Sequence, residues 1–457
     1  MRRTAFSVRI QDPTQKSTLR DWLVLGVALA LASWMWLYAQ WVMVPAERAH
    51  YLAMGQVADV GDLYPRWYGA RELLLHQRDP YSAEVSREIQ VAYYGHALDT
   101  AGADRGRDEQ RFAYPVYAVF FLAPTVELSF AQAQTVVRWV LALLAAWSVL
   151  LWLRALRWRA SRVATLAMVV LALSSPPVVQ ALRLQQLALL VAFLLAGCAA
   201  LVVRGRLVWA GGLLAYATVK PQLALLPVLW FLIWVAGDWK KRQGFAWGFA
   251  GTLVLLIGAG QLLLPGWLPE FVRGLVAYRH YAGMSSWLDA LLTPGVAKPV
   301  AAVLLGALLL GCWRGRRVDA SEPEFMDRLC KVLAAAVVAL PLLPPFNQML
   351  LVPGVLLVIS YWNNLWRRGR LVRAVYLLGA AIAASSWVAA AVLATGFALT
   401  GRTSTTAWEW PFVLTYGMPP VVAGLLLVLR VGGAGSACGA GVRTGAPSIS
   451  RIYSSRD

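Results

Sequence analysis

The residues of this sequence able to do chemistry stand in a few short stretches between apolar runs. In Asp59-Val-Gly-Asp62-Leu-Tyr64-Pro-Arg66-Trp-Tyr-Gly-Ala-Arg71, two carboxylates lie one helical turn apart. A carboxylate acts as a general base when it is ionised and placed to take a proton from an attacking hydroxyl. Loop acids also serve as solvated charges or helix caps, and spacing alone does not separate these roles. A second set is cationic: Lys220 in Tyr216-Ala-Thr-Val-Lys220-Pro-Gln222, and Arg183 in Val179-Gln-Ala-Leu-Arg183-Leu-Gln185-Gln186. A cation in so apolar a setting either holds an anion, such as a lipid phosphate, or snorkels to an interface. Arg273, Arg279 and His280, flanked by Tyr278 and Tyr281, suit an anionic head group or an aromatic interfacial belt.

Other chemistries have no footing. The four histidines (His50, His76, His96, His280) lack metal-ligand spacing, and neither a Walker A sequence nor a GxGxxG after a strand occurs, so neither a metal site nor a nucleotide engine is expected. Cys198, Cys312, Cys330 and Cys438 lie in apolar segments or near basic ends, and they imply no disulfide framework.

The elements that must position these residues are membrane helices. The 457-residue chain is 59% hydrophobic and 14% charged, well outside the soluble range of about 45 to 50% and about 25%. Apolar runs of roughly 17 to 25 residues recur, each able to cross a ~30 Å hydrocarbon core. The formal charge of +19 invites a nucleic-acid reading, but the basic residues sit at helix ends. Assigned to the cytoplasm by the positive-inside rule, those clusters carry 27 Lys/Arg and 8 Asp/Glu. The remaining 15 of each sign cancel, so the whole excess is a topology signal and no nucleic-acid partner is implied.

The expected architecture is therefore an all-α polytopic membrane protein with about twelve crossings. Residues 1–21 form a cytoplasmic N-terminus, 22–430 the membrane domain, and 431–457 a Gly/Ala/Ser-rich cytoplasmic tail expected to be disordered. The first crossing covers 22–44, and a large outer loop spans 45–111, with stretches such as Tyr68–Leu75 as amphipathic interfacial helices. Residues 113–128 carry Pro115 and Pro124 and are read as a dipping segment, which leaves Arg154 to Arg162 inside. The other crossings are expected near 132–153, 163–178, 184–203, 207–219, 222–236, 245–264, 299–313, 329–343, 348–365, 374–396 and 411–430. Arg138 is the main charge inside a crossing.

Several motifs then fall in one order: Asp62-Leu-Tyr-Pro-Arg-Trp-Tyr-Gly-Ala-Arg-Glu-Leu73, Arg78-Asp-Pro-Tyr-Ser82, Phe112-Ala-Tyr-Pro115, Leu182-Arg-Leu-Gln-Gln186, and Gly211-Gly-Leu-Leu-Ala-Tyr-Ala-Thr-Val-Lys220-Pro221. Together they resemble glycosyltransferase family 87, a branch of the GT-C class that uses polyprenyl-phosphate sugars. The resemblance covers about residues 55–235; the second half matches in hydropathy only. Two departures are Tyr114-Pro115-Val116 in place of a double proline, and Gln185-Gln186 in place of Gly-Gln. The resemblance implies a GT-C-like bundle in a bacterial inner membrane, passing a mannose-like hexose from a polyprenyl phosphate to a glycolipid or glycan acceptor outside the cytoplasm, with inversion. It places the catalytic base on Asp62 and the donor phosphate on Lys220 and Arg183. Asp59, Tyr64, Arg66, Asp79, Tyr81, Gln185, Gln186 and His280 become substrate-binding candidates. A singly linked phosphate leaves without a divalent ion, so no metal or cofactor is expected. A lipid-linked-sugar flippase or other transporter is the competing class, and an envelope polysaccharide polymerase or ligase a third.

Overall fold

The computed structural model describes residues 17–57, 60–281, 286–402, 407–429 and 431, and among these it is helical throughout, with no strand. Asp59 and the tail beyond residue 431 lie outside the described residues, as does the side chain of His280.

The first helix, Leu19–Tyr38, opens on a capping box between Thr18 and Asp21. It passes through a π-helical turn, Ala39–Met43, into Val44–Ala53, giving one rod of 35 residues. The widened turn immediately precedes Pro45, whose missing N–H and bulky ring would disrupt a regular turn, so the helix runs past the predicted end at residue 44. The polar stretch that follows holds two helices, Tyr64–His76 and Ala83–Tyr94. Ser82 caps the second, and Gly95 ends it in the left-handed region at φ 74°. Arg78, between them, binds Glu72 at 2.6 Å and Glu88 at 2.7 Å, and Tyr68 donates to Glu88 at 2.8 Å. The first of these helices is embedded in protein, with Arg66, Trp67, Gly69, Ala70, Glu72 and Leu73 all buried.

Residues Val116–Thr125 form a short, broken, mostly buried helix between Pro115 and Val126. At ~1.5 Å per residue it is too short to span ~30 Å, as its prolines predict. Helices follow at each remaining predicted crossing, but they are unequal. Among the described residues six helical rods are long and apolar enough to cross: Leu19–Ala53, Phe130–Ala155, Trp239–Leu263, Gly295–Arg314, Arg370–Thr400 and Trp410–Val428. Arg162–Leu173 and Pro176–Arg183 make a seventh only as a pair bent by 57°. The chain is thus a multi-pass, all-helical membrane protein.

The helices between are shorter. Ala188–Val203, Leu207–Ala217, Pro221–Gly237, Pro323–Ala339 and Val352–Ser360 have 9 to 17 residues, and Ala188–Val203 is buried on almost every face. Several of these helices have one end inside the protein, and the turns there place polar residues such as Gln185, Gln186, Lys220 and Asn347 in buried positions. Leu207–Ala217 is seated by close backbone approach: a Cβ at Gly211 would run into the Phe245 carbonyl, and one at Gly248 into the Val208 carbonyl. Small residues at such contacts are the usual way membrane helices approach closely. At the other end of Pro221–Gly237 from Lys220, the buried Arg242 guanidinium donates to the carbonyls of Trp234 (2.6 Å), Arg316 (2.7 Å) and Val318 (2.8 Å), and it lies over the Trp234 ring. That clasp fixes the basic end of the helix.

Candidate active site

Asp62 occupies the turn entering Tyr64–His76, where the Tyr64 amide donates to the Gly61 carbonyl at 2.9 Å and the Tyr93 hydroxyl donates to the same carbonyl at 2.6 Å. The helix has no side-chain cap, so the Asp62 carboxylate is not consumed there. It instead accepts a hydrogen bond from Gln186 Nε2. The other end of that amide, Gln186 Oε1, accepts from Lys220 Nζ at 3.0 Å. Arg66, one turn along the helix, reaches Gln186 Oε1 at 3.5 Å, the Gln185 carbonyl at 3.3 Å and Asp62 at 4.0 Å. A carboxylate, an amide and two cations from three distant parts of the chain form one connected group.

The backbone under Gln186 is unusual in a way that serves this contact. Gln185 adopts φ 46°, rare for a residue with a side chain, and its amide is turned back onto the Leu182 and Arg183 carbonyls at 3.0 and 2.5 Å. The chain breaks between Pro176–Arg183 and Ala188–Val203, and Gln186 projects from the break. The turn carrying Lys220 is held from the side: the Tyr117 hydroxyl hydrogen-bonds Thr218 Oγ1 at 2.8 Å. Lys220 does not snorkel outward. It is 5% exposed, and its ammonium lies 4.8 Å over the Phe346 ring. Burial, with the Arg66 guanidinium beside it, pushes the Lys220 ammonium down to about 7, while the Asp62 carboxylate opposes that shift.

These side chains line a cavity of about 760 Å³. Asp62, Arg66, Gln186 and Lys220 form its polar end. Leu225, Phe271, Val272, Leu275 and Val276 form an apolar wall, and residues 340–347 close another side. Asp62 keeps 38% of its side chain accessible, whereas Arg66 keeps 8%. Tyr114 stacks under the Arg66 guanidinium at 4.7 Å, which puts the aromatic of Phe112-Ala-Tyr-Pro115 to use.

The other predicted residues stand apart from this group. Arg183, expected to hold the donor phosphate, is paired with Glu47 at 2.8 Å and does not line the cavity, whereas Arg66 does. Asp79 accepts from the Tyr81 amide at 2.8 Å and shapes the turn before Ala83–Tyr94. Tyr81 donates to the Tyr114 carbonyl at 2.5 Å, and Tyr64 stacks on Tyr68. These three support the wall from behind. Among the described residues no group of three His, Cys, Asp or Glu side chains is placed to hold a metal ion.

Sequence reasoning missed several lining residues. Asp108, Gln110 and Arg111 come from the end of the outer loop, Gln180 from Pro176–Arg183, and Phe346 and Asn347 from the second half. The last two carried a legible signal: Pro341-Leu-Leu-Pro-Pro-Phe-Asn-Gln348 interrupts an apolar run with prolines and amides. Gln180 Oε1 accepts from the Phe346 amide at 3.1 Å, which ties that break to the first half. Asp108 is exposed to the cavity, and partial desolvation of its carboxylate by the surrounding protein raises it above the ordinary range, with Asp62 adding to the effect.

The chain is thus a multi-pass helical membrane protein with an amphipathic cavity that holds a carboxylate linked to buried cations. The model of glycosyltransferase family 87 matches residues 112–344, about half of the chain, and the protein belongs to that family. It is a membrane glycosyltransferase. The match starts beyond Asp62 and runs through residues 340–344 of the cavity wall, so the likeness reaches further into the second half than the motifs indicated. No curated protein matches the chain.

Proposed function

We propose that this protein transfers a hexose, mannose-like, from a polyprenyl-phosphate sugar to a glycolipid or glycan acceptor on the outer face of a bacterial inner membrane, with inversion. The observation that carries this reading is the Asp62, Gln186, Lys220 and Arg66 group at the polar end of a cavity with an apolar wall. A lipid phosphate needs cations beside a greasy surface, and a hydroxyl acceptor needs a base. The acceptor oxygen attacks the anomeric carbon as the bond from that carbon to the phosphate oxygen breaks. The electron pair leaves with the phosphate, and the acceptor's proton passes to Asp62.

Lys220 and Arg66 hold the departing phosphate. Charge-assisted hydrogen bonds to a developing anion stabilise the transition state most strongly in a water-poor site. Gln186 spans the two functions, orienting the base through its amide N–H groups and the lysine through its carbonyl. Asp59 and His280 remain substrate-binding candidates by their place in the sequence. The short helices are read here as members of a GT-C-like bundle of about twelve crossings, with 45–111 outside and both termini inside.

The test is transfer from polyprenyl-phosphate sugars by purified protein in nanodiscs. Sugar transfer that disappears in Asp62→Asn supports the reading. Transbilayer movement of the donor without formation of a glycosidic bond would overturn it in favour of a flippase.

A further inference from the structure

The cavity has a second polar wing that the donor chemistry does not use, formed by Asp108, Gln110 and Arg111 at the end of the outer loop. Their backbone is locked from behind by the Ala83–Tyr94 helix. The Tyr94 hydroxyl donates to the Asp108 carbonyl at 2.7 Å, and Gln90 Nε2 donates to the Glu109 carbonyl at 2.9 Å. Arg107 lies over the Tyr94 ring at 5.6 Å. Gln110 adopts φ 46°, and its amide donates to Asp108 Oδ1 at 3.1 Å. A residue with a side chain held in the left-handed region persists only where its surroundings over-determine it, and such positions gather at binding sites. A loop whose backbone is fixed on three contacts while a carboxylate, an amide and a guanidinium line a cavity is a pre-organised polar surface.

Resting on the transferase reading above, we propose that residues 108–111 are the acceptor subsite, and that Asp108 and Gln110 there hold neighbouring hydroxyls of a sugar or polyol head group and present one of them to Asp62. Asp108 and Asp62 line the same cavity from different segments and feel each other's charge, so a head group bound by the first is within reach of the second. A carboxylate oxygen accepts from one or two hydroxyls, and an amide both donates and accepts, the combination that matches a diol. The apolar wall comes from Leu225 and the Phe271 to Val276 stretch and the polar wing from residues 108–111, so the cavity offers different surfaces to a lipid chain and to a head group.

The experiment compares wild type, Asp108→Asn, Asp108→Ala and Asp62→Asn in nanodiscs, with a panel of polyprenyl-phosphate hexoses as donors and a total membrane-lipid extract as the acceptor probe. Transfer is titrated separately in donor and in extract. Asp108→Ala raises the apparent acceptor KM at least tenfold, Asp108→Asn raises it less, and both leave the donor KM within about twofold; loss of one or two hydrogen bonds to a charged group accounts for that size. Release of free sugar to water without extract falls in Asp62→Asn, which separates loss of the base from loss of acceptor binding. An unchanged acceptor KM in Asp108→Ala, or a fall in turnover alone, overturns the subsite. Transfer at the wild-type rate in Asp62→Asn overturns instead the assignment of Asp62 as the base, and no transfer from any polyprenyl-phosphate donor by wild type overturns the donor reading on which the subsite rests.

Discussion

At Asp62 the carboxylate meets an amide and two cations at once, and each contact constrains what a substitution does. Asp62→Asn keeps the shape but cannot take a proton, so transfer falls by about 10² to 10⁴-fold while folding is retained. A steady-state assay beside a thermal-stability measurement separates these; a variant with unaltered turnover would remove Asp62 from the mechanism. Lys220 gives a pH dependence. Its ammonium is held down to about 7 in the free protein, so the charged form that binds phosphate is depleted as pH rises through that value. The donor kcat/KM should therefore decline on the alkaline side of about pH 7, since this parameter reports the free enzyme. Lys220→Arg, charged throughout, should lose that limb, and Lys220→Met should raise the donor KM by about tenfold or more. A pH profile of the arginine variant that matches wild type would assign the titration elsewhere.

At the scale of elements, the site depends on how closely short helices approach. Gly248 faces the Val208 carbonyl with no room for a Cβ, whereas Gly258, on the same Trp239–Leu263 helix, has nothing within 4 Å of the position a Cβ would take. Gly248→Val should cost about 1 to 3 kcal/mol through overpacking, displacing the Leu207–Ala217 helix and with it the Lys220 turn. Gly258→Ala is the matched control and should be silent in both thermal midpoint and activity. Tyr117→Phe is a gentler probe, removing the hydroxyl's two hydrogen bonds to Thr218. It should raise the donor KM severalfold with little change in melting temperature; equal donor KM values would show that the turn needs no lateral support.

For the molecule as a whole, the proposal that residues 45–111 are external and both termini internal rests on the charge distribution. Ala103 is exposed on that loop. In an Ala103→Cys protein whose tail carries Cys438→Ser, a membrane-impermeant maleimide applied to intact cells should label residue 103. The remaining cysteines, Cys198, Cys312 and Cys330, are free but buried, so background labelling stays low. Labelling that requires a permeant reagent would invert the topology and move the cavity to the cytoplasmic side.

The sequence alone determined the helical, multi-pass class, because a bilayer demands long apolar runs whose backbone is satisfied internally, and both demands are written residue by residue. It also singled out Lys220, since a cation in an apolar run is visible without a fold, whereas Asp62 and Gln186 were named by the family resemblance. Helix lengths were less legible. Hydropathy registers where a run is apolar, but ends such as Ala217 and Leu173 are set by packing and bends inside the protein, so twelve similar runs became helices of unequal length. Partner choice was beyond reach for the same reason. Arg183 and Arg66 are both arginines near apolar sequence, and only the folded chain puts Glu47 against the first and Gln186 against the second. Asp108 was hidden among the solvated-looking acids of the outer loop until Tyr94 and Gln90 turned its segment toward the cavity. The sign and spacing of charges are local properties, whereas which charge faces which depends on contacts across more than a hundred residues, and those exist only once the helices have packed.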